Sequence, residues 1–597
     1  MEQLHHNGIL VPPRYVAKGL TIKVRGETVK LTDEQEEMAM AWAKKKGTPY
    51  VEDPAFADNF HADLSKKLGI EVLPGDVDYS AVLKVVEEER AWRASLSREE
   101  RKALAAERKA KREANKEFHG YALVDGVRME VGNYTVEPSS IFMGRGSHPM
   151  RGHWKEGPRE EDIELNLSPE APRPPGSWKA IVWEPDSMWI ARWRDKLSVK
   201  MKYVWLSDSS LVKQRKDIEK FEMAKELRRN IDRVQQHILE NLDAEDLRRR
   251  KTATVCYLID HLKIRVGDEK DPDEADTVGA STLRPEHIQF EGDGAVAFDF
   301  LGKDSVRHVL KEKLPSRVVE NLKEFSASAE STLFDGVDSK RVSEFLDEVM
   351  TGLSSKVFRT YYASEAVETK LKETPVYAGD PDYLKKHVAM MANLDAAKVC
   401  NHKRTIPKTW ESSLQRKKDR LEDRRAKAKE NEEKLRRKAE EREEKYKERL
   451  RKKKLRLKEE KERLQEYQRQ LAEKLEQVRS VKGLKRRISS KRKSVARIEQ
   501  RIREMKAKHK EQMKKHWERL EKRRQRDRAA IEKLELQIEA QKATRDYNLG
   551  TSLKSYIDPR IYCDWGLRVE FDWRKYYPKT LQRKFGWVEL EGETPKK

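Results

Sequence analysis

Cysteine is nearly missing from this chain: three in 597 residues, Cys256, Cys400 and Cys563, lie far apart and show no Cys-x-x-Cys spacing. An odd, dispersed set excludes a disulfide framework and a thiolate zinc site, leaving buried thiols in a reducing compartment as the expectation. Long apolar runs are lacking too, since no stretch approaches the roughly 18 apolar residues that a membrane-crossing helix needs. The first residues, Met1-Glu2-Gln3-Leu4-His5-His6, do not place a charged segment before an apolar core as a secretory signal does. A soluble, intracellular protein without a membrane partner is expected. Apolar residues are sparse overall, 37% against 39% charged, and acidic residues do not balance the basic ones.

That imbalance is the first positive feature. A formal net charge of +23 argues for a polyanionic partner, because surface Lys and Arg release the counterions condensed on a phosphate backbone. Much of the charge sits in a tract from about Glu411 to Arg545, with compact sequence on both sides of it. Within the tract Leu414, Leu421, Ala428 and Leu435 recur every seven residues, as do Leu450, Leu457, Leu464, Leu471 and Val478, which is coiled-coil spacing. Gly483 is the strongest breaker and lies near the midpoint, so two similar arms are read as an antiparallel helical hairpin. A single long helix or a dimerising coiled coil is the alternative.

Elsewhere the pattern is mixed. Residues 1 to about 80 alternate short strand-like runs such as Leu20–Val24 with helical stretches, and Glu87–Phe118 reads as one long polar helix. Between Gly120 and Ser207 short alternating runs are broken by Pro and Gly; Val199, Met201, Tyr203 and Trp205 share one strand face, which is assigned to a core together with Trp178, Trp183, Trp189 and Trp193. Helices are expected from Ser210 to about Arg265 and from about Leu314 to Asn401. Between them lies a hairpin with Val296, Phe298 and Phe300 on one side and Leu301-Gly302-Lys303-Asp304 at its tip.

Five segments then stand out together: His261-Leu262-Lys263-Ile264-Arg265-Val266-Gly267, Phe300-Leu301-Gly302-Lys303-Asp304-Ser305, Lys356-Val357-Phe358-Arg359-Thr360-Tyr361, Cys400-Asn401-His402-Lys403 and Ser555-Tyr556-Ile557-Asp558-Pro559-Arg560. Taken singly, each key residue is an ordinary surface charge or core tyrosine. As an ordered set with their flanks, including Asp268-Glu269-Lys270 and Ala275-Asp276-Thr277-Val278-Gly279, they resemble the eukaryotic-type DNA topoisomerases IB over essentially the whole chain. The resemblance implies an α+β multidomain DNA clamp. Its parts would be a mixed strand and helix N-terminal region over 1–207, a mainly helical catalytic domain related to tyrosine recombinases over 208–410, an antiparallel coiled-coil linker over 411–545, and a C-terminal domain over 546–597.

The resemblance also implies roles. Tyr556 would be the nucleophile, Arg265, Arg359 and His402 would hold the scissile phosphate, and Lys303 would be the general acid. The residue types suit the chemistry. A phenol titrates near 10 and needs cations to favour its anion; guanidinium forks match the non-bridging oxygens of a pentacoordinate phosphorus; and a lysine on a hairpin tip can protonate the leaving 5′-oxygen. A phosphotyrosine ester keeps the energy of the broken bond, so resealing needs no ATP. No metal or cofactor is expected, because no convincing carboxylate cluster is present. Supercoiled duplex DNA is the implied partner of a monomeric enzyme, with Arg145 in Gly144-Arg145-Gly146-Ser147-His148-Pro149, Asp304 and Ser555 as further DNA contacts. Two departures stand out: Ser555 where family members commonly have Asn, and Met143 where they have Arg. They put contacts near the cleavage junction, and a response to camptothecin-type poisons, in question. With no long charged region ahead of the core, they suggest an archaeal or other non-eukaryotic member, at the nucleoid, or in the nucleus for a eukaryotic source. The rival readings are a tyrosine site-specific recombinase and a non-catalytic coiled-coil DNA-binding protein.

Overall fold

The computed structural model describes residues 1–268, 275–476 and 481–588, excluding the side chains of Asp304 and residues 474–476. Val478 of the heptad series and the Glu269-Lys270 flank lie outside the described residues. The chain divides into two compact units, one made of residues 1–379, 388–404 and the chain from 547 onward, the other of residues 380–387 and 405–546.

In the first unit the N-terminal part holds small sheets rather than one large one. Leu4–His6 pairs with Tyr121–Val124, which pairs with Val127–Glu130; a second sheet runs Ala180–Val182, Ile163–Asn166, Trp189–Arg194 and Met201–Trp205, its first pair parallel. The last of these strands is an edge, and it corrects the face assigned from sequence. Val204 and Leu206 point into the core at 3% and 0% exposure, whereas Met201, Tyr203 and Trp205 are exposed at 37–40%, and Val199 lies outside the strand with φ 59°. Period-2 alternation identifies which residues share a face, but both faces here carry apolar side chains, and only the sheet's packing decides which is covered. Trp189 and Trp193 are buried as expected, at 2% and 7%. The long polar helix is also two: Ser80–Ser95 and Arg98–His119, divided where Ser97 and Glu100 form a reciprocal capping box.

The chain continues with helices Leu211–Glu240 and Leu247–Leu262, followed by the three strands Ile288–Phe290, Ala295–Gly302 and Val306–Lys313. Val296, Phe298 and Phe300 face the core at 0%, 0% and 4% exposure; the tip is shifted by two residues from the sequence expectation, to a turn at Lys303–Ser305, because Leu301 and Gly302 still pair with Arg307 and Val306. Helices Ser316–Ser328, Ser339–Asp347, Ser355–Glu373 and Asp382–Val399 follow. A second core joins Phe221, Ala363, Val367 and Ala392 to Leu553, Ile557, Tyr562, Trp565, Phe585 and Trp587 from beyond the charged tract. The C-terminal segment is therefore seated by its own apolar side chains.

The second unit contains helices Trp410–Glu476 and Lys482–Ala543, of 67 and 62 residues, each spanning on the order of 100 Å at about 1.5 Å per residue. They run antiparallel: cross-helix ion pairs go from Arg425–Glu535 and Arg424–Asp527 through Glu432–Arg524 to Lys461–Glu499, ascending numbers meeting descending ones. Leu414 and Leu421 bury against Ile538, while buried polar groups interrupt the apolar seam, with Asp527 held by Arg424 and Arg523, and His516 Nε2 at 2.9 Å from the Leu435 carbonyl. Such polar layers fix register and orientation. Gly483 is not the breaker; it lies in the first turn of the returning helix, where a Cβ would meet open space. A glycine is tolerated in a first turn because helix propensity there is worth little against the packing of the 62-residue arm.

Candidate active site

Each functional side chain is delivered by a helix end or a turn. The helix Leu247–Leu262 stops at Lys263, which takes the left-handed conformation at φ 56°, and the extended run after it presents Arg265. That run is fastened to the start of the 3-10 turn Ala280–Thr282: Ala280 N–H bonds the Arg265 carbonyl at 2.8 Å, and Ser281 Oγ–H bonds the Gly267 carbonyl at 2.6 Å. Gly267 has φ 92°, and a Cβ on it would lie 2.8 Å from Gly279 Cα, so this close crossing needs glycine.

The helix Asp382–Val399 ends in a Schellman turn. Asn401 sits at φ 49°, and His402 N–H reaches back to the Ala397 carbonyl at 2.8 Å. Asparagine tolerates that conformation, which explains the Cys-Asn-His order: the cap residue immediately precedes the side chain it aims. The nucleophile candidate lies in an equivalent break. Leu549–Ser555 ends as Tyr556 N–H bonds the Ser552 carbonyl at 2.9 Å, and Asp558 with Pro559 starts the next helix as cap and first residue. The points where the chain leaves for the charged tract and returns are bonded together, with Lys403 bridged to Tyr547 and Asn548 N–H donating to the His402 carbonyl at 2.7 Å.

Three of the five residues named from the sequence meet directly. Arg359, 3% exposed on the helix Ser355–Glu373, donates through Nη2 to the Cys400 carbonyl at 2.7 Å and to His402 Nε2 at 3.0 Å, and through Nη1 to the Lys263 carbonyl at 3.2 Å. Its guanidinium carbon is 5.1 Å from the centre of the Tyr556 ring, and the His402 ring centre is also 5.1 Å from it. Arg265 is close enough that its charge acts on His402. Burial, then Arg359, Arg265 and His308, push the His402 imidazole down to about 3, so it is neutral at physiological pH.

Among the described residues neither Arg265 nor Arg359 is paired with a carboxylate, and the Arg359 Nε–H is buried without a partner. The positive charge of the pair is therefore uncompensated by any described carboxylate, an environment that favours an anion. Lys303 is exposed on its hairpin tip. Arg145 is exposed on a loop that abuts this tip: Gly146 has φ 57°, and a Cβ there would fall 2.5 Å from Ser305 Oγ. Ser555 is half-buried at the end of its helix, and the Asp304 side chain lies outside the described residues. Among the described residues no group of three or more His, Cys, Asp and Glu is placed to hold a metal ion, and no helix is long and apolar enough to cross a membrane.

Sequence reasoning missed His308 and Ser552. His308 sits opposite Phe300 in the hairpin register, stacks on it at 5.0 Å, and accepts from Asn401 Nδ2 at 2.7 Å, tying the Lys303 hairpin to the His402 turn. Ser552 Oγ is 2.7 Å from His402 Nδ1; its spacing of four before Tyr556 on a helix was the available signal. Burial, then Arg359, Lys403 and Arg265, push His308 down to about 4. Both histidines thus bind protons more readily when unfolded. Their contribution to stability is present above about pH 6.5 and is lost as pH falls toward 4. The melting midpoint is expected to drop between pH 7 and pH 5, and in His308→Gln, which does not titrate, that drop should be smaller by roughly 2 °C. Scanning calorimetry at the two pH values checks this, and an identical drop in the variant refutes it.

Comparison with known proteins gives the same outline. Residues 209–435 match the family described as eukaryotic DNA topoisomerase I, catalytic core; residues 1–206 match its DNA binding fragment, and residues 528–594 a C-terminal topoisomerase domain. The chain is 37% identical over 436 residues to DNA topoisomerase 1 beta of Arabidopsis thaliana, covering 71% of this chain and 47% of that one. It is 34% identical over 438 residues to DNA topoisomerase 1 of Candidozyma auris, covering 71% and 58%. Against the mitochondrial DNA topoisomerase I of Pan troglodytes it is 33% identical over 439 residues, covering 70% and 72%. The chain spans about half the length of the first of these relatives. All three are eukaryotic, and they lend no support to the expected archaeal origin.

Proposed function

Since this chain belongs to the eukaryotic DNA topoisomerase I family, we propose that it is a type IB topoisomerase that relaxes positive and negative supercoils without ATP or an obligatory metal. The observation that carries the reading is the Tyr556 ring set against a buried, carboxylate-free Arg359 and a neutral His402.

Duplex DNA enters a clamp of the N-terminal region, 1–207, and the core, 208–410, drawn by the net charge of +23. The scissile phosphate takes up the free N–H groups of Arg359 and Arg265, whose field favours the Tyr556 phenolate and whose forks hold the non-bridging oxygens as charge builds there. The Tyr556 phenol gives its proton to water, and its oxygen bonds to phosphorus while the bond to the 5′-oxygen breaks. Lys303 gives that oxygen its proton, leaving a 3′-phosphotyrosyl ester and a free 5′-hydroxyl. The nicked strand rotates, and the hydroxyl attacks the ester to restore the backbone and the tyrosine. His402 adds a hydrogen bond to the phosphate; Arg145, Asp304 and Ser555 contact DNA beside it. The linker over 411–545 carries the chain out and back between His402 and the C-terminal domain over 546–597 that bears Tyr556. The enzyme acts as a monomer wherever the cell keeps its DNA, the nucleus in a eukaryotic cell.

Plasmid relaxation in EDTA without nucleotide tests this. Both signs of supercoil should be removed, and denaturation during the reaction should trap the protein on a 3′ end. No relaxation, or an adduct on the 5′ end, overturns the reading.

A further inference from the structure

His402 is held at both ring nitrogens. A guanidinium only donates, so the Nε2 that faces Arg359 Nη2 at 3.0 Å is the bare nitrogen and the ring proton sits on Nδ1. Nδ1 points at Ser552 Oγ, 2.7 Å away, on a residue with 0% exposure. The Ser552 carbonyl in turn accepts the N–H of Tyr556 at 2.9 Å and of Ile557 at 3.1 Å, closing the turn that carries the phenol. One residue therefore grips the imidazole with its side chain and the Tyr556 turn with its backbone.

We infer that Ser552 is a positioning residue, whose hydroxyl holds the ring orientation of His402 in either tautomer and couples that ring to the turn bearing Tyr556. The inference rests on the roles given above to Tyr556 and His402. A phosphate oxygen only accepts, so His402 must offer an N–H at Nε2 once DNA is bound, which it cannot do while Nε2 accepts from Arg359. When Arg359 turns its donors to the phosphate, one proton leaves Nδ1 and one arrives at Nε2 through water, with no net gain. A hydroxyl serves both forms: it accepts from Nδ1–H before the exchange and donates to bare Nδ1 after it. An alanine would strand Nδ1 in a buried site in either form.

Two measurements test this on the full chain. Nitrogen-15 spectra of histidine-labelled, DNA-free protein, with His402 assigned by its loss in His402→Ala, are expected to show a protonated Nδ1 and a bare Nε2. In Ser552→Ala the Nδ1 resonance should shift as its hydrogen bond is lost, while Nε2, still facing Arg359, stays bare. A protonated Nε2 in the wild-type chain, or an unchanged pattern in the variant, overturns the inference. In single-turnover cleavage of a duplex oligonucleotide, His402→Ala should slow the reaction about 100-fold and Ser552→Ala about tenfold. The double variant should be no slower than His402→Ala, and Ser552→Cys should recover part of the loss, with DNA affinity unchanged throughout. Additive losses would mean that Ser552 acts on something other than His402, and would overturn the inference while leaving the reaction intact. A wild-type chain that forms no adduct would overturn the reading of the reaction and the catalytic half of the inference, while the nitrogen-15 arm still decides the tautomer.

Discussion

Tyr556→Phe is expected to bind duplex DNA as the unchanged chain does and to form no covalent adduct, a loss on the order of 10⁵-fold or more in cleavage rate. Only the phenolic oxygen is removed. The ring, which stands 5.1 Å from the His402 ring and 5.1 Å from the Arg359 guanidinium carbon, is retained, and so is the packing of this turn against the second core. The backbone that shapes the turn is untouched, since its bonds run from the N–H of Tyr556 and Ile557 to the Ser552 carbonyl and from Ser364 Oγ–H to the Tyr556 carbonyl at 3.2 Å. A gel-shift measurement beside a trapping assay separates binding from chemistry. An adduct that survives in the variant means that another side chain is the nucleophile.

Arg359→Ala should slow cleavage by about 10³-fold, and Arg359→Lys by about 10²-fold, with little change in DNA affinity. This side chain is used in three directions. Its fork spans the carbonyls of Lys263 and Cys400 and the ring of His402, and its Nε–H is left over. A lysine keeps the positive charge that favours the phenolate, but a single ammonium cannot hold two carbonyls and also offer a planar pair of donors to a phosphate. The ratio between the two variants therefore separates charge from fork geometry. Single-turnover cleavage measures it, and equal rates for Lys and Arg at this position would show that charge alone suffices. Arg359→Ala also leaves the Cys400 carbonyl unsatisfied in a buried place, so a modest fall in melting temperature is expected alongside the kinetic loss.

Several local structures were legible because their causes are local. The core face of the hairpin, Val296, Phe298 and Phe300, follows from strand alternation, and the antiparallel arms follow from heptad spacing around a central interruption. The capping box of Ser97 and Glu100 was equally local, but was hidden inside a polar run whose composition is uniformly helical. The face of Met201, Tyr203 and Trp205 was misread because burial is a property of the partner layer. Gly483 was misread because a flexible residue marks where a helix is weak and not where it must end.

The site divides in the same way. Sequence alone made the ordered set Arg265, Lys303, Arg359, His402 and Tyr556 legible as candidates, because short motifs specify local turns: Asn401 the left-handed cap before His402, and Asp558-Pro559 the helix start after Tyr556. It also carried the basic excess on which the proposed polyanionic partner rests. Only the tertiary structure decided what seats the C-terminal segment: Ile557, Tyr562 and Phe585 bury at 0–1% exposure among side chains of residues 221 and 363–400. It likewise decided that Arg359 meets no carboxylate among the described residues, that His402 is neutral and bound to Ser552, and that Lys303 is exposed on its tip. The reason is physical. Caps and turns are set by a few neighbouring φ and ψ angles, whereas burial and charge pairing depend on groups brought together from far apart in the chain, as with Ser552 and His402 at a separation of 150 and Ser364 and Tyr556 at 192.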